Sequence, residues 1–352
     1  MTFQSSRTSV PNADLVGMIE LRRGPWNLTD LKQIPKNGLK VFSCFHCGGG
    51  SSMGYKLAGF DVLGGVEIDR EMMNLYRVNH NPRHSYLSDI REFNDIPNSE
   101  LPDELFDLDI LDGSPPCSSF STTGVRERDW GKGKKFTEGQ TKQVLDDLFF
   151  SYIETVQKLQ PKVVIAENVV GLIQGKARGY VREILRGLDF LGYTTQIFKL
   201  NAAFMGVPQQ RPRIFFISNK EGKSINMRFD EDPISLSQAF EGCSKNGRPL
   251  TDRGATFWRS AAYGENLSMS KSNHTSHRKL HPHKPAWTLK STGDMYHWSE
   301  PRKLSRDEAT RMQTFPDDYN YMGANPVYVC GMSVPPFMMQ RIALSVREQL
   351  FD

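Results

Sequence analysis

A cysteine in a turn rich in prolines and hydroxyl groups is the residue of this sequence best placed to do chemistry. Cys117 follows Pro115 and Pro116 and precedes the sequence SSFS at positions 118–121. The prolines restrict the backbone, and residues 106–111 have the pattern of a buried strand that ends in a turn. This predicts a thiol held at the edge of a sheet, where it can act as a nucleophile. The alternative is a buried cysteine that packs as a small hydrophobic side chain, and the neighbouring serines argue against it.

An acid and two guanidinium groups are predicted to reach the same edge. Glu167 follows the apolar residues 163–166, which have the pattern of a strand. Arg211 and Arg213 come directly before another predicted strand, residues 214–218. The triplet Glu-Asn-Val is common by chance and the pattern QxRxR is moderately rare. Together with the cysteine segment, in this order along the chain, they are a strong signal for a catalytic site.

A second candidate site is predicted where the first three strands end. The sequence FHCGGG at positions 45–50 closes the first strand, Glu67 ends the second, and Asp89 stands where the third should end. Glycines allow a backbone to approach a ligand closely and expose amides at the start of a helix. In such a site Glu67 can accept both hydroxyls of a ribose, and Asp89 can bind an adenine amine. Alone, a glycine-rich first turn is a weak signal that nucleotide, flavin and S-adenosylmethionine binders share.

The apolar periodicity predicts an α/β fold, a doubly wound and mostly parallel sheet, which would position these residues. Strands are predicted at residues 39–45, 62–66, 106–111, 163–166, 194–200 and 214–218, and helices at 51–58, 70–78, 141–159 and 181–191. Two more helices are predicted, one at 305–313 with a capping box of Ser305 and Glu308, and one at 336–349. The alternation stops after residue 218. The sequence therefore predicts an N-terminal extension (1–37), a catalytic domain (38–218 and 301–352) and a small, irregular target-recognition domain (219–300).

Composition limits the class of protein. The chain has 352 residues, of which 24% are charged and 38% hydrophobic, as in ordinary globular proteins. No apolar run approaches the roughly 18 residues that span a bilayer, and the N-terminus lacks the apolar stretch of a signal peptide. Five cysteines, an odd number, argue against a disulfide framework. These features predict a cytoplasmic protein without a membrane partner.

Basic residues are concentrated in two segments. Residues 243–303 contain eleven Lys or Arg against four Asp or Glu, interleaved with six aromatic residues. This pattern is typical of a surface that follows phosphates and contacts bases, although composition alone leaves a solvated loop region equally open. Residues 122–140, which also carry several Lys and Arg, are predicted to form a mobile lid over nucleic acid, the alternative being a surface loop.

These motifs together resemble the cytosine-5 DNA methyltransferases of bacterial and phage type. Residues 116–121 resemble the nucleophile motif of that family, Pro-Cys-Gln-x-Phe-Ser, with serine in place of glutamine, and residues 308–316 and 331–336 resemble its last two motifs. The resemblance covers roughly residues 39–218 and 300–346. Three positions depart from the family pattern: Cys47 replaces a glycine, Leu145 an arginine and Met332 an asparagine.

The resemblance implies a covalent mechanism. Cys117 would add to C6 of a cytosine, Glu167 would be the proton partner of ring N3, and Arg213 would contact the O2 carbonyl with Arg211 in support. The target base would leave the duplex, because C6 cannot be reached within the stack. The implied methyl donor is S-adenosyl-L-methionine, with no metal. The residues carried over to the donor site are Phe45, Gly48, Gly49, Gly50, Glu67, Ile68, Asp89, Ile90, Pro116, Leu148, Ser333 and Val334.

The implied partner is double-stranded DNA, bound by a monomer, and a cognate restriction endonuclease is a further candidate. Two alternatives stay open. One is a tRNA cytosine-5 methyltransferase of the same fold, against which the basic, aromatic residues 219–300 favour DNA. The other is a catalytically inactive DNA-binding relative, marked by the three departures, against which the intact Cys117, Glu167 and Arg213 argue.

Overall fold

Seven strands form one sheet at the centre of the protein. The computed structural model describes residues 23–116, 148–174, 178–267, 277–291 and 295–352. The strands are Lys40–Cys44 (β1), Asp61–Glu67 (β2), His84–Leu87 (β3), Ile110–Gly113 (β4), Val163–Val169 (β5), Thr194–Asn201 (β6) and Pro212–Asn219 (β7). Their order is β3-β2-β1-β4-β5-β7-β6, and all run parallel except β7, which is antiparallel to both of its neighbours. The predicted doubly wound, mostly parallel sheet is confirmed.

Helices cover both faces of the sheet. They are Gly50–Leu57 (α1), Arg70–His80 (α2), Ile90–Asp95 (α3), Leu148–Leu159 (α4), Arg178–Phe190 (α5), Leu236–Ala239 (α6), Asp252–Ser260 (α7), Arg306–Met312 (α8), Pro326–Met332 (α9) and Pro336–Leu350 (α10). Successive side chains of a strand point to opposite faces. Val41 accordingly joins the hydrophobic cluster that contains α1 and α10, and Phe42 joins the cluster that contains α3, α4 and α5. Residues 141–147, the predicted start of the helix that becomes α4, lie outside the described residues.

The strands next to the candidate site differ from their predicted bounds. Residues Asp103–Phe106 form a 3-10 helix, and β4 begins only at Ile110, so the predicted strand 106–111 starts too early. Strand β5 continues past residue 166 because it pairs with β7 as far as Val169 opposite Arg213. Polar residues interrupt the apolar pattern there, which is why the sequence placed Glu167 and Arg213 just outside the strands that contain them.

Residues 219–300 are largely irregular, with α6, α7 and a two-stranded sheet of Arg278–Lys279 (β8) and Met295–Tyr296 (β9). They do not have a wholly separate core, because Leu236 and Leu289 join the cluster that contains α1 and α10. At the other end of the chain, Trp26 is buried in the same cluster, and its indole N–H donates to the Thr314 carbonyl at 3.0 Å. The exact domain boundaries remain predictions.

Helix α8 begins as its sequence predicted. The Ser305 hydroxyl accepts a hydrogen bond from the Glu308 amide at 3.2 Å, and the Glu308 carboxylate accepts one from the Ser305 amide at 2.8 Å. This confirms the predicted capping box. None of the helices in the described part of the chain has the length and apolar character needed to cross a bilayer.

Candidate active site

A cleft of about 230 Å³ lies at the edge of the sheet where β1, β2, β4 and β5 end. Ligands of open α/β sheets bind at this edge. Strand β7 runs in the opposite direction, so its first residues reach the same edge. The described residues that line the cleft are Phe45, Cys47, Glu67, Ile68, Met72, Ser114, Pro115, Pro116, Glu167, Asn168, Val169, Arg211, Arg213, Tyr328, Gly331 and Met332.

A buried ion pair of Glu167 and Arg213 forms one wall of the cleft. Arg213 Nε lies 2.8 Å from Glu167 Oε1, and both side chains are largely buried, with 14% and 12% exposed. Glu167 lies opposite Phe215 in the β5–β7 ladder, so Arg213, two residues away, is a diagonal neighbour on the same face. Burial lowers the pKa of the Arg213 guanidinium, and the Glu167 carboxylate partly restores it. The Glu167 carboxyl, which can exchange a proton, and the Arg213 cation are thereby fixed side by side.

Arg211 connects three segments behind this ion pair. Its Nη1 donates to the Leu289 carbonyl at 3.0 Å. Its Nη2 donates to the carbonyls of Gly331 and Ser333 at 2.9 and 3.0 Å. Burial lowers the pKa of the guanidinium, and these carbonyl oxygens stabilise its charge. Arg211 therefore holds the wall in shape, which is compatible with the supporting role that its sequence position predicts.

The segment that leads to Cys117 enters the cleft at Ser114-Pro115-Pro116. The Ser114 amide donates to the Cys44 carbonyl at 3.3 Å, and Asn168 Nδ2 donates to the Pro115 carbonyl at 3.1 Å. Asn168 thus ties this segment to β5. The Glu-Asn-Val triplet in the sequence did not by itself indicate this role of the asparagine. Cys117 itself lies outside the described residues.

Glu67 is a buried carboxylate on the other side of the cleft. Its Oε2 accepts a hydrogen bond from the Cys47 amide at 2.9 Å, and its Oε1 accepts one from the Asp69 amide at 3.0 Å. Burial raises the pKa of the Glu67 carboxyl to about 6. Phe45 and Ile68 line the cleft beside it. The arrangement offers a rigid hydrogen-bond acceptor next to apolar surface.

The glycines of the first turn contact protein rather than line the cleft. A Cβ on Gly48 would lie 2.6 Å from Val329 Cγ1, and a Cβ on Gly50 would lie 2.0 Å from the Val334 carbonyl oxygen. Gly49 has a φ of +80°, and a Cβ there would meet the His80 ring. The sequence pattern predicted that these glycines allow close approach of a ligand. In the structure, close approach of α2, of α9 and of the segment after α9 already requires them.

Replacing Gly50 with alanine should destabilise the protein by about 1–3 kcal/mol, the usual effect of inserting a methyl group into a filled space. Gly179→Ala is the matched control, because nothing lies within 4 Å of its Cβ position and because, like Gly50 in α1, it lies in the first turn of its helix, α5. That change should leave stability the same or slightly higher. Urea unfolding followed by circular dichroism measures both. Equal midpoints for Gly50→Ala and the unmodified protein would contradict the packing argument.

Several residues predicted for a donor site lie outside the lining of this cleft. Asp89 caps α3, where its carboxylate accepts a hydrogen bond from the Arg91 amide at 2.9 Å. Ile90 and Leu148 are buried in the cluster under α3 and α4. Ser333 and Val334 are also buried, and the Ser333 hydroxyl donates to the Val329 carbonyl at 2.8 Å. Of the residues predicted for a donor site, the structure brings Phe45, Glu67, Ile68 and Pro116 together in the lining of the cleft.

Two of the three departures from the family pattern face the cleft. Cys47 lines it with a φ of +49°, in the left-handed region that favours glycine, and burial raises the pKa of its thiol to about 12. Met332 lies on the rim with 43% of its surface exposed. Leu145, the third departure, lies outside the described residues. Among the residues that are described, no three His, Cys, Asp or Glu side chains form a metal-ligating group.

Known proteins are similar to this chain in sequence and in fold. The type II methyltransferase M.NgoPII of Neisseria gonorrhoeae is 27% identical over an alignment of 349 positions that covers 89% of this chain and 97% of that protein. The type II methyltransferase M.FnuDI of Fusobacterium nucleatum is also 27% identical, over 89% of this chain and 96% of that protein. Among solved structures, a prophage-encoded DNA modification methyltransferase from E. coli superposes with a TM-score of 0.72 at 22% identity, over 90% of this chain and all of that one.

A second solved structure, the S. pombe Dnmt2 methyltransferase, superposes with a TM-score of 0.59 at 15% identity, over 90% of this chain and all of that chain. At such identities the two superpositions show a shared fold. The sequence pattern of the family described as C-5 cytosine-specific DNA methylase matches residues 39–249 and 244–348, which is most of the chain. The protein therefore belongs to the C-5 cytosine-specific DNA methylase family.

Proposed function

We propose that this DNA methyltransferase modifies C5 of a cytosine that has left the duplex, with Cys117 as nucleophile and with Glu167 and Arg213 as the groups that hold the ring. The observation that carries the proposal is the convergence of the Glu167–Arg213 ion pair and the segment leading to Cys117 in one cleft. A cytosine ring offers a carbonyl oxygen and a ring nitrogen next to each other. A guanidinium beside a carboxyl group is complementary to that edge.

The proposed chemistry begins with attack on the ring. The Cys117 thiolate adds to C6, and the electron pair of the C5–C6 bond makes C5 nucleophilic. Glu167 supplies a proton at ring N3, and Arg213 stabilises the oxygen at C2, so that negative charge does not build up on the ring. The methyl group would come from the sulfonium sulfur of S-adenosyl-L-methionine, which would leave as the thioether S-adenosyl-L-homocysteine. Loss of the C5 proton to water, return of the N3 proton to the Glu167 carboxylate and release of the thiolate would then restore the aromatic ring.

The residues around Glu67 fit S-adenosyl-L-methionine, the methyl donor that membership of the family implies. The Glu67 carboxylate accepts hydrogen bonds from the backbone amides of Cys47 and Asp69, and a carboxylate has the capacity to accept a further one from a hydroxyl of a ribose. Phe45 and Ile68 supply apolar surface beside it. The bound donor would supply an electrophilic methyl group. Glu67 would fix its ribose, and Pro116 would border it on the side of the nucleophile.

Binding of S-adenosyl-L-methionine should weaken as the pH falls through about 6, because protonation of Glu67 removes a charged acceptor. The carboxylate form binds hydroxyls best, so affinity should be highest above that pH. Glu67→Gln should bind the donor roughly ten- to a hundredfold more weakly at neutral pH, and its affinity should vary less with pH. Calorimetric titration across the acidic range measures both effects. Glu154→Gln, an exposed position on α4, is the control, and an affinity of Glu67→Gln equal to that of this control would remove Glu67 from the donor site.

We further propose that the protein acts as a monomer in the cytoplasm and that it protects DNA from a cognate restriction endonuclease. Support for the last point comes from the relatives, which are named type II methyltransferases. Residues 219–300 are the proposed target-recognition domain, because they include most of the segment 243–303, in which eleven Lys or Arg face four Asp or Glu and alternate with aromatic residues.

Bisulfite sequencing tests the proposed function. The protein is expressed in a bacterial host that lacks cytosine-5 methylation, and both genomic DNA and tRNA are sequenced. Protected cytosines should occur within one recurring DNA sequence. Protection of tRNA alone would establish the RNA alternative. Unprotected DNA and RNA from cells that contain folded protein would support the inactive DNA-binding relative.

A further inference from the structure

A half-exposed tryptophan lies beside the candidate active site. Trp287 has 49% of its surface exposed. The residues on either side of it are hydrogen-bonded to Gln210, close to the cleft wall that Glu167 and Arg213 form. The Gln210 amide donates to the Ala286 carbonyl at 2.7 Å, and the Thr288 hydroxyl donates to the Gln210 carbonyl at 2.8 Å. Gln210 directly precedes Arg211. The backbone at Trp287 is therefore held next to the segment that enters the cleft at Arg211.

A guanidinium group packs against this indole. The Arg278 guanidinium carbon lies 4.6 Å from the centre of the Trp287 ring. Arg278 is itself fixed, because it belongs to β8, opposite Met295 in β9, and its Nη1 donates to the Gly264 carbonyl at 3.3 Å. A cation over an indole face is a favourable contact. The ring is thereby oriented although about half of it remains accessible.

Trp258, another tryptophan of the basic segment 243–303, has a different environment. Trp258 is only 8% exposed, and its indole N–H donates to the His297 carbonyl at 2.8 Å. It packs with Leu267 and Tyr296 in a small core. Trp287 lies outside that core, next to the exposed His283 and Lys284 in sequence. Its position suits contact with a ligand that carries both negative charge and flat rings.

We propose that Trp287 stacks on a DNA base next to the target cytosine and that Arg278 is the positioning residue that holds the indole. The inference rests on the proposed function, because it assumes that DNA enters the cleft. An aromatic side chain can stack on any base that has lost its neighbour. Removal of the cytosine from the duplex creates such a base. Trp287 would then stabilise the opened DNA beside the reacting ring.

The test compares Trp287→Ala, Trp287→Phe and the control Phe190→Ala on the full chain. Phe190, the last residue of α5, is 88% exposed. The next strand, β6, begins at the end of the sheet opposite the cleft, because its first residue pairs with the last residue of β7. The substrate is bacterial genomic DNA without cytosine methylation, with tritiated S-adenosyl-L-methionine as donor. Trp287→Ala should lower kcat/KM for DNA about ten- to a hundredfold, the usual effect of losing one base stack. Trp287→Phe should stay within about threefold of the unmodified protein, since it keeps an aromatic ring.

Two further measurements separate a DNA contact from a defect in folding. Calorimetry should give the same affinity for S-adenosyl-L-methionine in all variants. Arg278→Gln should raise the KM for DNA with little change in kcat, and it should have no further effect once Trp287 is alanine. If Arg278→Gln raises the KM for DNA of the Trp287→Ala variant as much as it raises that of the unmodified protein, Arg278 does not act through the indole.

The inference is overturned if Trp287→Ala matches Phe190→Ala in a preparation whose unmodified protein methylates DNA. That result would leave the proposed function intact. If the unmodified protein transfers no methyl group to DNA, the proposed function fails, and fluorescence decides the contact separately. Titration with a short duplex should then quench the fluorescence of the unmodified protein more than that of Trp287→Phe. Equal quenching in the two proteins would overturn the inference.

Discussion

Replacing Cys117 with serine should abolish methyl transfer and leave the affinity for S-adenosyl-L-methionine unchanged. A serine hydroxyl is almost entirely protonated near neutral pH and is a far weaker nucleophile than a thiolate. Loss of a catalytic nucleophile typically lowers turnover by roughly four to six orders of magnitude. Because Pro116 borders the cleft and Cys117 is the next residue, we expect the largest effect of any single substitution here.

The covalent step can be trapped directly. Duplex DNA that contains 5-fluorocytosine should form an adduct with the unmodified protein, because fluorine cannot leave C5 as a proton does. The Cys117→Ser variant should bind this DNA and form no adduct on a denaturing gel. Cys243→Ser is the control. Burial raises the pKa of the Cys243 thiol to about 12, so this thiol is not a nucleophile and the Cys243→Ser variant should form the adduct normally. An adduct that survives in Cys117→Ser would place the nucleophile elsewhere.

The residues that end the parallel strands were predictable from the sequence. Alternating and continuous apolar runs identified β1, β2 and β5, and the ends of parallel strands share one edge of a sheet. Glu67 and Glu167 could therefore be placed near each other although they are far apart in the chain. The structure brings both to the same cleft. The predicted position of the two carboxylates rested only on the common direction of their strands.

Contacts that join distant segments were not predictable in the same way. The sequence does not show that β7 is antiparallel, so it could not show that Arg213 pairs diagonally with Glu167. The hydrogen bonds of Arg211 to Leu289 and Ser333 span about 80 and 120 residues of chain. Such contacts depend on how whole elements pack, and local periodicity carries no information about that packing.

A buried acid under the nucleophile segment gives another example. In sequence, Asp112 directly follows the predicted strand 106–111, and no role was predicted for it. In the structure it is 2% exposed, and the hydroxyls of Ser43 and Tyr55 each donate to it at 3.2 Å. Burial raises the pKa of its carboxyl to about 7. Its partners come from β1 and α1, so only the packed fold shows why a carboxyl group is tolerated there.

Replacing Glu167 with glutamine should slow turnover about a hundred- to ten-thousandfold, the range expected when a group that transfers a proton in the rate-limiting step is lost. Glutamine keeps the shape of the side chain and can still accept a hydrogen bond from Arg213. It cannot supply a proton to ring N3. Affinity for S-adenosyl-L-methionine should stay unchanged, because Glu67 lies on the other side of the cleft. Single-turnover kinetics with tritiated donor measures the chemical step.

The same substitution also leaves a buried guanidinium without its counter-charge, which commonly costs about 3–5 kcal/mol of stability. Glu308→Gln is the control for this effect, because Glu308 forms an ion pair with Arg302 at 2.7 Å that is even more deeply buried than the pair of Glu167 and Arg213, and because it does not line the cleft. Both variants should unfold at lower urea concentration than the unmodified protein. Under conditions where both are folded, only Glu167→Gln should lose turnover. Comparable losses in the two variants would mean that Glu167 supports the structure and transfers no proton.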